Sequence, residues 1–194
     1  RLVLMLVPNP ARDSAESTVA PSLTAGPPVD EAGAILTVDL GAISDNWKRL
    51  RSLASPAECA AVVKADAYGC GLEPVAAMLR QAGCTTYFVA DLAEGRRLRK
   101  VVPDAVIYIF AGTPPGTASI FAEHNLRPVI NSSVELAEWN AFTATSGWHG
   151  GFALQIDTGM NRLGVTLDEA AAIAPLLNNQ NHGLELVMTH FVAS

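Results

Sequence analysis

From Ala34 to the end of the chain, short apolar runs rich in β-formers alternate with longer amphipathic stretches. The runs are AILTVDL (34–40), CAAVVK (59–64), TYFVA (86–90), AVIYIF (105–110), RPVI (127–130), FALQID (152–157) and LELVMTHF (184–191). They are near-continuous apolar runs, the habit of strands buried on both faces of a parallel sheet. The stretches between them predict helices over 43–53, 74–82, 93–101, 117–123, 134–142 and 168–177. Their ends carry the expected signals. Pro74 falls in a first turn, Gly83 follows a last one, and Ser133 and Thr166 read as N-caps ahead of acidic first turns. Repeated strand–helix units at this spacing specify an α/β chain, either a doubly wound sheet or a (β/α)8 barrel.

Composition narrows the function classes. Across 194 residues, 49% are hydrophobic and 16% charged, which excludes a disordered chain. The balance of 13 Lys+Arg against 19 Asp+Glu argues against a nucleic-acid partner. No apolar run reaches the roughly 18 residues that a membrane helix needs. Residues 8–30 hold Pro8, Pro10, Pro21, Pro27 and Pro28 without apolar periodicity, so residues 1–33 are expected to be a disordered tail or linker ahead of one domain over 34–194. The apolar run 2–7 behind Arg1 falls short of a signal-peptide core. Cys59, Cys70 and Cys84 cannot form a complete disulfide set and lack metal-ligand spacing, which points to a reducing, cytoplasmic setting and no metal.

In parallel α/β folds the chemistry sits at the carboxyl ends of the strands. Three polar groups converge there. Lys64 ends the run behind Ala61, Val62 and Val63 and opens the small, glycine-rich turn Ala65–Gly71. A lysine whose stem lies among apolar neighbours suits imine formation with a carbonyl or with pyridoxal phosphate, although such a residue can also snorkel to water. Asp157 opens the loop DTGMNRLG, in which Arg162 could clasp a carboxylate with its planar fork or simply be solvated. His190 ends the last run, where a core histidine is the ordinary alternative. Tyr68, beside Gly69 and Gly71, could donate to a phosphate or pack as a turn tyrosine.

Together these residues say more. The segment VVKADAYGCG (62–71) resembles the pyridoxal-phosphate attachment motif of the alanine racemases. DTGMNRLG (157–164) is similar to the family's second signature loop, and MTHF (188–191) to its third. Val38-Asp39-Leu40, with Ile43 and Asn46, fits the family's opening. The resemblance runs in order from about residue 34 to 194. It implies a fold-type III architecture: a (β/α)8 TIM barrel followed by a mostly β domain, assembled as a cytoplasmic homodimer. By the same resemblance, Lys64 would hold pyridoxal 5'-phosphate as an internal aldimine and then act as base on the D-enantiomer's α-proton. Tyr68 would contact the phosphate, and His190 would lie against the pyridine ring. Arg162 would reach the cofactor's phenolic oxygen and the substrate carboxylate. The implied reaction is racemisation of L-alanine and D-alanine, supplying D-alanine for peptidoglycan.

Two positions depart from the family pattern. Gln155 stands where many members carry a lysine that supports the loop arginine, so Arg162 is expected to need another anchor, such as an anion. Cys70 stands where histidine is common. Six barrel strands can be counted from Cys59 onward, against eight in a closed barrel. The run 34–40 is expected to pair with the β domain. The last two strands, the β domain and the family's opposing tyrosine base are expected beyond Ser194, which makes this an N-terminal fragment, inactive alone. A broad-spectrum racemase, another fold-type III enzyme and a non-catalytic pyridoxal-phosphate barrel are the alternatives.

Overall fold

The computed structural model of the chain describes residues 3–6, 31–178 and 183–192. Seven parallel strands lie side by side in chain order: β1 (Val3–Leu6), β2 (Glu58–Val62), β3 (Thr86–Val89), β4 (Val106–Ile109), β5 (Arg127–Ile130), β6 (Phe152–Gln155) and β7 (Leu184–Met188). The helices are α1 (Leu40–Ala54), α2 (Lys64–Tyr68), α3 (Leu72–Gln81), α4 (Leu92–Val101), α5 (Ala118–Glu123), α6 (Ser133–Ser146) and α7 (Leu167–Asn178). Each crossover from β2 onward steps to the next strand along, so right-handed connections put every helix on one face.

Two buried clusters follow from that winding. On the helix side, Cys59, Ala61, Val63, Tyr87, Val89, Ile107 and Ile109 pack against Leu72, Val75, Leu79, Leu98, Phe121 and Trp139. The alternate positions Ala60, Val62, Phe88, Tyr108, Val129, Ala153, Leu186 and Met188 form a second cluster drawn from β2 through β7. Among the described residues no helix covers this second face, yet its members are at most 8% exposed. The sheet must therefore curl on itself, and β2 through β7 form the six-strand part of an α/β barrel that the sequence implied, with β1 added beside β2.

Local chemistry explains most element boundaries. Asp91 and Ser132 cap α4 and α6 by accepting the N–H groups of Glu94 and Glu135 at 3.0 and 3.1 Å. Thr166 and Glu169 form a reciprocal capping box at the start of α7 (3.2 and 2.8 Å). The cap of α6 is thus Ser132, one residue before the Ser133 that the sequence suggested.

The run 34–40 is not a strand. Asp39 accepts the Ala42 N–H at 2.9 Å and starts α1 at Leu40 instead. Ile35 and Leu36 are 65% and 81% exposed, so this apolar run finds no partner strand among the described residues. Conversely, Val3–Leu6, within the stretch read as a tail, pairs in parallel with Glu58–Ala61 of β2. The proline-rich stretch 8–30 lies outside the described residues.

Candidate active site at the carboxyl rim of the sheet

Ala60, Val62 and Lys64 share one parity along the chain, so Lys64 leaves β2 toward the inner face of the curl. Its Nζ lies 5.8 Å over the Phe110 ring. Phe110 stacks on Phe88 at 5.3 Å, and Phe88 on Tyr108 at 4.9 Å. The half-buried ammonium therefore rests on an aromatic stack built by β3 and β4, an attraction worth about 0.5–2 kcal/mol.

The turn that follows is left-handed. Ala65, Asp66, Ala67 and Tyr68 all have φ between 51° and 56°. Each such non-glycine residue costs roughly 1–2 kcal/mol. Hydrogen bonds from Ala67 N–H to the Val63 carbonyl (3.0 Å) and from Gly71 N–H to the Asp66 carbonyl (2.9 Å) close it. Gly69 and Gly71, at φ 82° and 91°, return the chain to α3 without a Cβ penalty.

Side chains from α3 and α4 hold this turn from outside. Asp66 Oδ1 accepts the Leu72 N–H at 3.1 Å and the Arg97 guanidinium at 2.8 Å. Arg97 also grips Glu73 through Nε (2.9 Å) and Nη2 (2.8 Å). Glu94 accepts the Asp66 N–H at 3.2 Å and the Ala90 N–H at 2.9 Å. The hydrogen bond from Arg97 is the first cause that holds the Asp66 and Glu73 carboxyls below the usual carboxylate range. Tyr68 is 39% exposed on the same turn, and its partial burial pushes the phenol upward.

Across the arc, Gln155 ends β6 at 5% exposure, and its Nε2 donates to the Leu163 carbonyl at 3.1 Å. Backbone bonds close the loop base, from Val165 N–H to the Gln155 carbonyl (2.9 Å) and from Asp157 N–H to the Val165 carbonyl (2.8 Å). Asp157 Oδ1 accepts the N–H groups of Gly159 (2.9 Å) and Asn161 (3.0 Å). Backbone bonds, that from Asn161 first, hold its carboxyl low. The loop so shaped presents Arg162 to solvent. Gln155 thereby holds the loop backbone one residue from Arg162.

The hydroxyls of Thr158 and Thr189 meet at 2.7 Å and tie this loop to the end of β7. His190 lies two residues beyond the last β7 residue and is exposed, so it is not a core histidine. Lys64 and Tyr68 thus share one turn, while Arg162 and His190 stand on two loops joined by the threonine pair. Among the described residues no hydrogen bond links the first pair to the second.

Asp66, Glu94 and Arg97 were not singled out from the sequence as part of this site. The available signal was their spacing. Glu94 and Arg97 lie three apart on one face at the start of α4, beside the preceding strand–helix loop.

Residues 38–194 match the family model for the alanine racemase N-terminal domain. The chain is 46% identical over 162 residues to the alanine racemase of Methylobacterium sp. (strain 4-46), covering 84% of this chain and 44% of that protein. It is also 46% identical over 167 residues to the catabolic alanine racemase of Mesorhizobium japonicum, covering 84% and 43%. Among solved structures, the alanine racemase of Bartonella henselae with covalently bound pyridoxal phosphate superposes with a TM-score of 0.76 at 30% identity. That match covers 80% of this chain and 46% of the other. The biosynthetic alanine racemase of Pseudomonas aeruginosa gives a TM-score of 0.71 at 29% identity, covering 80% and 43%. The chain spans less than half the length of the curated relatives it matches, and through residues 38–194 it belongs to the alanine racemase family as that family's N-terminal domain.

Proposed function

We propose that this chain carries the cofactor-binding lysine and one of the two bases of a pyridoxal-phosphate-dependent alanine racemase. The observation that carries this reading is the position of Lys64. It is a half-buried amine on the inner face of a curled parallel sheet, at the carboxyl rim, inside a turn held by three side chains. The donor set fits the group: an amine to bind the aldehyde, a phenol on the same turn for the phosphate, an arginine for carboxylate and phenolate oxygens, and an imidazole at the same rim. The covalent pyridoxal phosphate of the Bartonella henselae relative supports it.

When bound, the cofactor supplies an electron sink that acidifies the α-proton of the amino acid. Lys64 would hold it and would take or return the proton at one face of the α-carbon. Tyr68 would hold the phosphate through its hydroxyl. Arg162 would orient the substrate through a bidentate grip on its carboxylate, and His190 would hold the ring. In the whole protein we read the reaction as interconversion of L-alanine and D-alanine by a cytoplasmic homodimer, supplying D-alanine for peptidoglycan.

The test uses the fact that the chain has three lysines, Lys48, Lys64 and Lys100. The protein is incubated with pyridoxal phosphate, reduced with borohydride and mapped by peptide mass. The adduct is expected on Lys64 and lost in Lys64→Ala; an adduct confined to Lys48 or Lys100 overturns the assignment. In deuterated water, Lys64-dependent α-proton exchange is expected for D-alanine rather than L-alanine. Lys64-dependent exchange of L-alanine alone refutes the assigned face, and trapping without exchange of either form favours a non-catalytic barrel.

A further inference from the structure

We infer that Arg97 and Glu94, both on α4, are positioning residues for Lys64, acting through Asp66. The inference rests on the reading of Lys64 as the cofactor-bearing amine. Four consecutive non-glycine residues at positive φ follow Lys64, a conformation that L-residues hold only when their surroundings enforce it. Backbone bonds tie the turn back to Val63, whose N–H meets the Phe88 carbonyl at 2.9 Å, and forward to Gly71, but none of them reaches α4. Outside anchoring comes from two directions. Glu94 takes the Asp66 N–H with one oxygen and the Ala90 N–H with the other, which ties the turn to the end of β3. Arg97 bridges the Asp66 carboxylate and the Glu73 carboxylate, which ties it to α3.

Asp66 is the shared point. Its N–H, its carbonyl and its carboxylate are all engaged, by Glu94, by Gly71 and by Leu72 with Arg97 respectively. It stands two residues after Lys64 and two before Tyr68. A shift of Asp66 therefore moves the amine and the phenol together. The bridge is specific to arginine, because a single planar group must meet two carboxylates at 2.8–2.9 Å. The groups facing one another here are Asp66, Glu73, Glu94 and Arg97. The sole cation among them holds two of three carboxylates.

The network is about half exposed, with side-chain exposures of 44–50%. Its loss is therefore expected to change local equilibria about five- to tenfold rather than unfold the protein. The experiment compares wild type with Arg97→Met, Arg97→Lys and the control Arg80→Met. The control removes the exposed Arg80–Asp104 pair, elsewhere on the same two βα units. Amide hydrogen exchange is read at Asp66 and Leu72, whose N–H groups report the two anchors without any cofactor. The second readout is the ratio of borohydride-trapped adduct on Lys64 to that on Lys48 and Lys100 at subsaturating pyridoxal phosphate.

In Arg97→Met, exchange at Leu72 is expected to quicken, and the Lys64 ratio to fall, each about five- to tenfold. Arg97→Lys is expected to restore part of the ratio, because its charge still meets Asp66. Arg80→Met is expected to leave both readouts unchanged. Unchanged exchange in Arg97→Met overturns the clamp. Quickened exchange with an unchanged Lys64 ratio overturns the positioning role and leaves a merely structural one. If wild type traps nothing on Lys64, the functional reading fails, and the positioning role falls with it; the exchange arm then still decides whether the clamp exists.

Discussion

Replacing Gln155 by leucine tests whether a buried neutral amide is what holds the Arg162 loop. Leucine keeps the volume and the 5% exposure of the site but removes the donor to the Leu163 carbonyl, 3.1 Å away. An amide–carbonyl bond contributes about 0.5–1.5 kcal/mol net, and leaving the acceptor dry costs about 1–3 kcal/mol. The backbone bonds at the loop base, Val165 N–H to Gln155 and Asp157 N–H to Val165, do not depend on the side chain and survive the change. The cost should therefore fall on the opening of residues 158–164, not on the barrel. An opening easier by 1–2 kcal/mol is roughly a 5- to 30-fold larger open population. Trypsin reads this directly, because it cuts after Arg162, and cleavage of a rapidly opening segment follows the open population. The measurement is the initial cleavage rate after Arg162, relative to cleavage after Arg96 on α4 in the same molecule, together with the urea midpoint. A faster relative cut at Arg162 with a small drop in midpoint is expected. Equal relative rates in Gln155→Leu and wild type would refute the anchoring role.

Arg99 donates to the carbonyls of His124 (3.0 Å), Val102 (3.1 Å), Pro103 (2.9 Å), Ala105 (2.7 Å) and Asn125. Arg99→Met should therefore cost about 2–4 kcal/mol in urea unfolding, with Arg99→Lys recovering less than half; a loss below about 0.5 kcal/mol would show these carbonyls satisfied by water. Asp66 and Glu73 have lowered carboxyl pKa values, so their contribution to the clamp is present above the ordinary carboxylate range, about pH 4, and is lost as pH falls through their lowered values. The Leu72 amide shift, followed by NMR on lowering pH, should break with a midpoint below the ordinary aspartate value; a midpoint at or above it contradicts the Arg97 contact. On the proposed function, Arg162→Lys keeps charge but loses the fork, so the Michaelis constant for alanine in the full-length enzyme should rise about tenfold, and an unchanged value would remove Arg162 from carboxylate binding.

The strand series from Cys59 onward was legible because a strand buried on both faces leaves no room for polar residues, and the capping signal at Thr166 announces the start of α7, whereas that of α6 falls at Ser132, one residue before the Ser133 that the sequence suggested. Lys64, Tyr68, Arg162 and His190 were legible as rim residues for the same reason, since each follows an apolar run. Within the run 34–40 the cap was not legible: Asp39 starts α1 at Leu40, and Ile35 and Leu36 stand exposed among the described residues. The handedness of the turn after Lys64 was not legible at all. Ala-Asp-Ala-Tyr carries no local signal for positive φ; backbone bonds that close the turn, and the long-range bonds from Asp66 N–H to Glu94 and from Arg97 to Asp66, hold it there. The anchoring role of Gln155 was hidden likewise, because its partner is a backbone carbonyl eight residues on, which no side-chain pattern records.

One device recurs around the rim and explains why the loops there are held so consistently. Glu94, Glu135 and Glu169 each stand three residues after the N-cap of α4, α6 and α7, and each donates its N–H to that cap. One carboxylate oxygen then accepts an N–H at the start of its own helix: Ala90 for Glu94, Asn131 for Glu135 and Thr166 for Glu169. The other reaches back one strand–helix unit, to the Asp66 N–H, the Thr113 N–H and the Ser133 hydroxyl respectively. A carboxylate is suited to this because its two oxygens face two donors at once, and the helix N-terminus favours its charge. In a sheet whose spatial order is its chain order, the preceding loop always lies within reach of the next helix's first turn. Ordinary capping chemistry thus becomes a brace from unit to unit. At β3 the brace lands two residues after Lys64, so the same interaction that starts α4 also fixes the turn bearing the candidate catalytic amine.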